Sequence, residues 1–78
     1  MTPYRNLSGN SGVRAYRLGD DFIEVMFKSK DIYLYTSQST SRSNIDVMKK
    51  LAVEGRGLCT FISQRVKGGY ARRWKHKG

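Results

Sequence analysis

The sequence predicts an α+β fold in which a three-stranded antiparallel β-meander is followed by two α-helices packed on one face. Two periodicities support this prediction. Apolar residues alternate with polar ones in the first half of the chain, and they recur every three or four residues in the second half. A chain of 78 residues makes one small domain that buries only about 60% of its unfolded surface. Such a domain leaves little room for an enzyme cleft.

The strands are predicted from alternation and from the turns between them. The second segment alternates most clearly, with Ile23, Val25 and Phe27 on one face. The triplet GDD precedes it and the pair Ser29-Lys30 follows it, and both are turn signals. An antiparallel sheet of this kind has one face that the rest of the chain must cover. The predicted strands span residues 13–18, 22–28 and 31–36.

The regions outside this pattern set the domain limits. Residues 1–12 are polar and rich in Gly and Ser, so they are predicted to be a mobile N-terminal segment. The single domain is predicted to span 13–74, and residues 75–78 are predicted to be a basic C-terminal tail.

The first covering helix is predicted to run from Ser43 to about Glu54. Ser43 and Asp46 fit a capping box, with Asp at the position usually held by Glu. Apolar residues then return to one side of the helix, and these are Ile45, Met48, Leu51 and Ala52.

The second helix is predicted between two glycine stops. Gly55 and Gly57 end the first helix, and the pair Gly68-Gly69 ends the second. The following sequence, YARRWKHK, sets aromatic residues among cations and could be an extended segment or a loose tail. The apolar stripe of the second helix comprises Leu58, Cys59, Phe61, Ile62 and Val66.

The position of Tyr33 and Tyr35 depends on the hairpin loop before them. A two-residue loop at Ser29-Lys30 places both tyrosines on the sheet face away from Ile23, Val25 and Phe27, where they could stack on nucleobases. A loop one residue longer pairs Phe27 with Tyr33 and Val25 with Tyr35, and it buries both rings. Ser-Lys is a weak turn signal, so the residues leave both registers open, and packing is the commoner role for a strand tyrosine.

The charge distribution is strongly asymmetric. Fifteen Lys and Arg against six Asp and Glu give a net charge of +9. Residues 55–78 hold seven of these basic residues and no acid, whereas residues 1–54 hold eight basic and six acidic residues and therefore a net +2. This asymmetry favours a polyanionic partner, although a basic segment can equally serve solubility.

The candidate site combines these cations with aromatic rings. Flat side chains among phosphate-seeking cations suit single-stranded nucleic acid. A solvated disordered tail is the alternative interpretation of the C-terminal part. The predicted nucleic-acid-binding residues are Tyr33, Tyr35, Lys67, Tyr70, Arg72, Arg73, Trp74, Lys75 and Lys77.

The residues do not assemble a catalytic or metal site, so we expect no enzyme activity, cofactor, metal or small-molecule substrate. Cys59 is the only cysteine and His76 the only histidine, and neither has a sequence neighbour that would activate it. Asp20 and Asp21 are adjacent, which is poor geometry for a shared acid–base site. The glycine motifs GNSG and GRG lack the lysine and the context of a phosphate loop.

Several motifs occur in an order that resembles a known family. They are the strand IEVMF at 23–27, the Tyr-x-Tyr at 33–35, the segment GLCTFISQRV at 57–66 and the closing YARR at 70–73. This order resembles the KTSC domain, a short module at the C-terminus of some lysyl-tRNA synthetases and in stand-alone bacterial proteins. The resemblance covers roughly residues 13–74, but TSQSTSRS stands where members often have a proline-containing turn. It implies a small α+β fold of unassigned biochemical role, with RNA binding as a suggested activity and no synthetase activity.

Two hypotheses for the function follow. The first is a sequence-tolerant module that binds RNA or another polyanionic nucleic acid through the basic C-terminal segment, with the tyrosines as a possible stacking surface. The second is a protein-interaction or structural accessory domain without a nucleic-acid role. The residues 1–12 contain no apolar signal core, and no apolar run is long enough to span a bilayer. We therefore expect a cytoplasmic protein without a membrane partner.

Overall fold

A single antiparallel sheet forms the framework of the protein. The structure is a computed structural model, and it describes residues 1–7, 9 and 11–76. The strand order in the sheet follows the order in the chain, and the two helical segments lie between β4 and β5. The fold is therefore α+β, but its sheet has five strands and not the predicted three. The strands are β1 (Thr2–Pro3), β2 (Val13–Leu18), β3 (Phe22–Phe27), β4 (Asp31–Thr36) and β5 (Arg72–Lys75).

The first additional strand lies in the N-terminal segment that was predicted to be mobile. Thr2 and Pro3 pair with Tyr16 and Ala15 of β2. Tyr4, the next residue, is only 6% exposed, and its hydroxyl accepts a hydrogen bond of 3.3 Å from the Leu58 backbone N–H. The folded core therefore begins before the predicted boundary at Val13. One tyrosine in a polar stretch has no periodicity, so the pattern did not reveal its burial.

The hairpin between β3 and β4 has a three-residue loop, residues 28–30. Lys30 has a φ of 72°, and its N–H donates to the Phe27 carbonyl at 2.8 Å, as in a three-residue loop whose last residue is left-handed. Val25 pairs with Tyr33 and Ile23 with Tyr35. This register turns both tyrosines toward the helices, as the longer-loop alternative required. The residue pairs expected for that alternative are wrong, because Val25 was expected opposite Tyr35 and lies opposite Tyr33, two residues earlier.

The first helix, α1, spans Arg42–Glu54. Its cap is Ser41 and not the predicted Ser43, because the Ser41 hydroxyl accepts from the Asn44 N–H at 3.1 Å. Ser41 and Ser43 offer the same capping chemistry, but Ser41 has the extended backbone of a capping residue, with φ −156° and ψ 159°, whereas Ser43 lies inside the helix. At its C-terminus Gly55 adopts a φ of 80°, which a residue with a Cβ rarely does. The face toward the sheet buries Ile45, Met48 and Ala52.

The second helical segment changes its winding halfway. It begins as α2 (Leu58–Phe61) and continues as a π-helical turn (Ile62–Val66). The Ser63 hydroxyl donates to the carbonyls of Cys59 and Thr60, a type of contact that bends helices. Leu58, Ile62 and Val66 are buried, whereas Cys59 and Phe61 are only partly covered. The predicted apolar stripe is therefore narrower in the structure.

The last strand, β5, occupies the segment for which the sequence left two alternatives. Arg73 pairs with Tyr33 of β4, and the Ala71 N–H donates to the Leu34 carbonyl at 2.6 Å. Lys75 belongs to this strand, and the His76 N–H donates to the Lys30 carbonyl at 2.8 Å. The predicted tail at 75–78 thus begins too early. Lys77, predicted to bind nucleic acid, lies outside the described residues, as does Gly78.

The core lies between the helices and one face of the sheet, which we call the inner face. Ile23, Val25 and Tyr35 from the inner face pack with Ile45 and Met48 of α1. The opposite face, which we call the open face, carries no helix in the part of the chain that the structure describes. Within the same residues, no helix is long and apolar enough to cross a membrane.

Candidate nucleic-acid interface

Strand β5 divides the predicted site between the two faces of the sheet. Residues that pair across strands share a face. Arg73 pairs with Tyr33 and lies on the inner face, whereas Trp74 pairs with Ile32 and lies on the open face. Because side chains alternate along a strand, Arg72 accompanies Trp74 and Lys75 accompanies Arg73. The predicted residues therefore do not form one surface.

Tyr35 belongs to the core and is not a stacking surface. Its residue exposure is 1%, so no base can reach the face of its ring without opening the fold. Burial, followed by the proximity of the Tyr33 and Tyr70 hydroxyls, raises the pKa of Tyr35 well above its ordinary value. Tyr35 thus stays neutral at physiological pH. This placement corrects its prediction as a binding residue.

Tyr33 is half-buried at the centre of an aromatic cluster. The centroid of its ring lies 4.9 Å from that of Tyr70 and 5.3 Å from that of Phe27, and both pairs are edge-to-face. The Tyr35 ring runs nearly parallel to it at 6.4 Å. These are favourable aromatic geometries, and they hold the side chains in defined orientations. Tyr70 is the most accessible tyrosine of the cluster, at 37% exposure.

Two cations border this cluster, and a third lies beside it. The guanidinium carbon of Arg73 lies 5.9 Å from the centroid of the Tyr33 ring, within cation–π distance. Proximity to the Tyr33 hydroxyl, then to Tyr70 and Asp31, raises the pKa of Arg73 above its ordinary value. Lys67 is exposed on the other side of the cluster. Lys75 Nζ lies 4.0 Å from Asp31 Oδ1, which is a long ion pair.

The aromatic residues and the π-helical turn enclose a depression, which we call the aromatic groove. Its volume is about 570 Å³, within the usual range for ligand pockets. The π-helical turn forms one wall and the β3–β4 hairpin the other. Such turns often occur at functional sites. The groove is lined by Phe27, Ser29, Asp31, Tyr33, Tyr35, Ile62, Ser63, Lys67, Gly68 and Tyr70.

The open face presents a different environment to the remaining two candidates. Trp74 is 38% exposed, and the guanidinium carbon of Arg72 lies 6.0 Å from its ring centroid. A shallower depression of about 370 Å³ is lined by these two residues with Leu34 and Glu24. Glu24 is 8% exposed and forms a 2.7 Å ion pair with Arg17. A carboxylate therefore stands at the centre of this face.

Comparison with known proteins adds no relative. No protein-family model, curated protein or solved structure matches the chain.

Sequence reasoning missed six of the ten residues that line the groove. None of these six was predicted as a site residue, and they are Phe27, Ser29, Asp31, Ile62, Ser63 and Gly68. Phe27 and Ile62 read as core residues because their periodicity matches the core face. The loop length would have identified Phe27 and Asp31, since it decides which side chains flank Tyr33.

The described residues contain no cluster of side chains that could ligate a metal ion. Among residues 1–7, 9 and 11–76, no group of three or more His, Cys, Asp or Glu side chains lies close enough to hold a metal ion. The single cysteine, Cys59, is a free thiol that is partly covered by the core.

Proposed function

We propose that this protein is a small, non-catalytic module that binds single-stranded RNA through the aromatic groove and the inner side of β5. The observation that carries the proposal is the arrangement of Tyr70 and Tyr33 beside Arg73 and Lys67. Accessible rings stack with bases of any sequence, and cations at their edges neutralise the phosphates that connect those bases. Other single-stranded polyanionic nucleic acids offer the same chemistry.

Two further observations support the proposal. Several residues that line the groove are exposed, among them Ser63, Lys67 and Tyr70, so a single strand can enter the groove from solvent. The positive charge of residues 55–78 lies without acidic residues of its own, which favours association with a polyanion. The resemblance of residues 13–74 to the KTSC domain remains a prediction, and it agrees with an RNA-binding role.

A direct test compares two variants with equal net charge. The variant Lys67→Glu/Arg73→Glu changes a cation that lines the groove and a cation over the Tyr33 ring, whereas Lys50→Glu/Arg56→Glu changes two exposed cations of α1 and the loop after it. Each double reversal lowers the net charge from +9 to +5. Fluorescence anisotropy with a labelled single-stranded RNA, at low and at near-physiological salt, measures affinity and its salt dependence.

The expected result is loss of binding in the groove variant with retention in the α1 variant. Wild-type affinity should fall with salt by a log–log slope of about 0.7 for each phosphate neutralised. Equal losses in the two variants would mean that net charge alone attracts RNA, and the groove would have no special role. Circular dichroism of both variants checks that each is folded.

Protein docking on the open face is the second candidate function. Half-buried Met26 and Leu34 and exposed Trp74 form an apolar area that no helix covers in the described residues. Apolar contacts of this kind hold their affinity as salt rises, whereas phosphate contacts weaken. The cations of β5 have an alternative role here, because charged residues on an edge strand oppose pairing between sheets. Absence of RNA binding even at low salt would favour this candidate.

A further inference from the structure

A carboxylate lies among the rings of the aromatic groove. Asp31 begins β4, pairs with Lys75 of β5 and lines the groove beside Tyr33. Its Oδ2 accepts a hydrogen bond of 2.8 Å from the Ser29 hydroxyl. Within residues 1–7, 9 and 11–76, its Oδ1 has only the long 4.0 Å contact with Lys75 Nζ. A carboxylate has about four lone-pair sites. Asp31 can therefore accept further hydrogen bonds from a ligand in the groove.

A carboxylate among aromatic rings suits either an organic cation or a ligand with N–H donors. The cation is disfavoured here because Lys67 lines the groove and Lys75 lies 4.0 Å from Asp31. Arg73 also lies over the Tyr33 ring already. The Tyr33 and Tyr70 ring centroids are 4.9 Å apart, which leaves no space for an ammonium group between them. The groove thus favours a flat neutral ring that carries N–H donors and belongs to an anionic chain.

The four RNA bases differ in what their Watson–Crick edges offer a carboxylate. Guanine presents two adjacent donors there, N1–H and the N2 amino group, and these match the two oxygens of a carboxylate. Adenine and cytosine place an acceptor nitrogen beside their amino group, and uracil flanks its N–H with two carbonyl oxygens. Each of these acceptors would face a carboxylate oxygen and repel it. Reading of unstacked bases at this edge is usual in single-stranded RNA recognition.

We propose that the aromatic groove is a guanine subsite within the RNA-binding surface. The Asp31 carboxylate accepts from N1–H and from the N2 amino group, the base lies against Tyr70, and the adjacent phosphates contact Lys67 and Arg73. A groove of about 570 Å³ accommodates a single nucleotide. This inference rests on the proposed function, since it assigns one base preference to an otherwise sequence-tolerant surface.

The test uses three oligonucleotides that differ in one base. Each is a uridine tract of roughly eight nucleotides, with guanosine, inosine or adenosine at its centre. The guanosine strand should bind roughly ten-fold or more tightly than the adenosine strand, as expected for one good bidentate contact. Inosine keeps N1–H but lacks the N2 amino group, so its strand should have an intermediate affinity. This series needs only the wild-type protein, so it does not depend on the folding of any variant.

A matched pair of variants then tests Asp31 itself. Asp31→Asn should reduce the preference for guanosine to within about two-fold while retaining salt-dependent binding, because its amide group offers one acceptor and one donor. Asp46→Asn removes the same charge from the exposed face of α1 and should keep the full preference. Thermal melting of both variants shows whether each is folded.

The outcomes separate the subsite from the proposed function. Equal, salt-dependent binding of all three strands would overturn the guanine subsite and leave RNA binding intact. No binding of any strand at low salt would overturn both proposals. Free guanosine monophosphate, used as a competitor, should bind far more weakly than the guanosine strand, because it lacks the neighbouring phosphates. Equal affinity would identify a nucleotide site and overturn recognition within a strand.

Discussion

The two sides of β5 carry similar charges in different surroundings. On the inner side, Arg73 and Lys75 lie beside a groove of aromatic rings, and the carboxylate next to Lys75, that of Asp31, is partly exposed. On the open side, Arg72 lies over Trp74, and the nearest carboxylate, Glu24, is almost fully buried. Both faces of β5 therefore carry positive charge, and the two faces differ in the rings and carboxylates beside that charge.

The two sides of β5 present different groups to an approaching phosphate. A phosphate that approaches the inner side meets cations with exposed head groups and rings on which a base can stack. A phosphate that approaches the open side meets Arg17, whose guanidinium is already paired with Glu24 at 2.7 Å, and Arg72, whose guanidinium lies over Trp74. We therefore expect substitutions on the inner side to change RNA affinity and substitutions on the open side to change stability alone.

Tyr35→Ala should change the stability of the protein more than any of the substitutions that follow. This substitution removes a fully buried ring from the core and should lower the free energy of unfolding by about 3–5 kcal/mol. Such a loss is comparable to the whole stability of many small domains. The matched variant Tyr33→Ala removes a ring from the same strand, but one that is only half-buried, so its cost should be roughly half as large. Urea denaturation of the two variants measures both values. Equal costs would contradict the difference in burial between the Tyr35 and Tyr33 rings.

The two tyrosines also show how far the sequence predicts this fold. Alternation located β2, β3 and β4 within one residue, since the period of two is a direct property of the strand. It did not decide the face of Tyr33 and Tyr35, because that face depends on whether the loop has two or three residues. Lys30 adopts a left-handed conformation that usually favours Gly or Asn, and residue type gave no signal of it.

The sequence did not predict the two outer strands, for a different reason. β1 and β5 are short edge strands whose partners lie far away or across two helical segments in the chain. Local pattern contains no information on such pairing, and the four residues RRWK are exposed throughout. The prediction of the candidate site was incomplete for the same reason. Composition identified the cations and rings, but only the register of β4 with β5 assigned Arg73 to the groove and Arg72 to the open face.

Arg72 and Arg73 are neighbours in the chain but lie on opposite faces of the sheet, so substituting each one tests one face. Arg73→Glu should weaken RNA binding by roughly ten-fold, because it removes a charged hydrogen bond to phosphate and adds repulsion. Arg72→Glu changes the net charge by the same amount one residue earlier, and it should weaken binding by less than about three-fold. Anisotropy titrations under identical salt give the ratio. If the Arg72 variant were the weaker binder, the open face would be the nucleic-acid surface.

A smaller effect is expected from Glu24→Gln. The loss of the ion pair with Arg17, whose own side chain is 60% exposed, should cost about 1 kcal/mol of stability. RNA affinity should stay within about two-fold, because Glu24 lies on the face away from the groove. Removal of this negative charge would instead strengthen binding if RNA contacted the open face. Thermal denaturation of the variant measures the loss of stability, and titration of the same preparation with RNA measures the affinity.

The smallest expected effect concerns the fluorescence of Trp74, the only tryptophan. Trp74 is 38% exposed and lies on the open face, so its emission should respond to contacts made there. RNA bound in the aromatic groove should leave the Trp74 emission nearly unchanged. In a Trp74→Phe variant, whose fluorescence comes from its tyrosines, the same RNA should quench the tyrosine emission. A tryptophan signal that saturates with RNA would show that bases stack on the open face. In that case Trp74 and Arg72 would form the binding surface, and the groove on the other side of β5 would not.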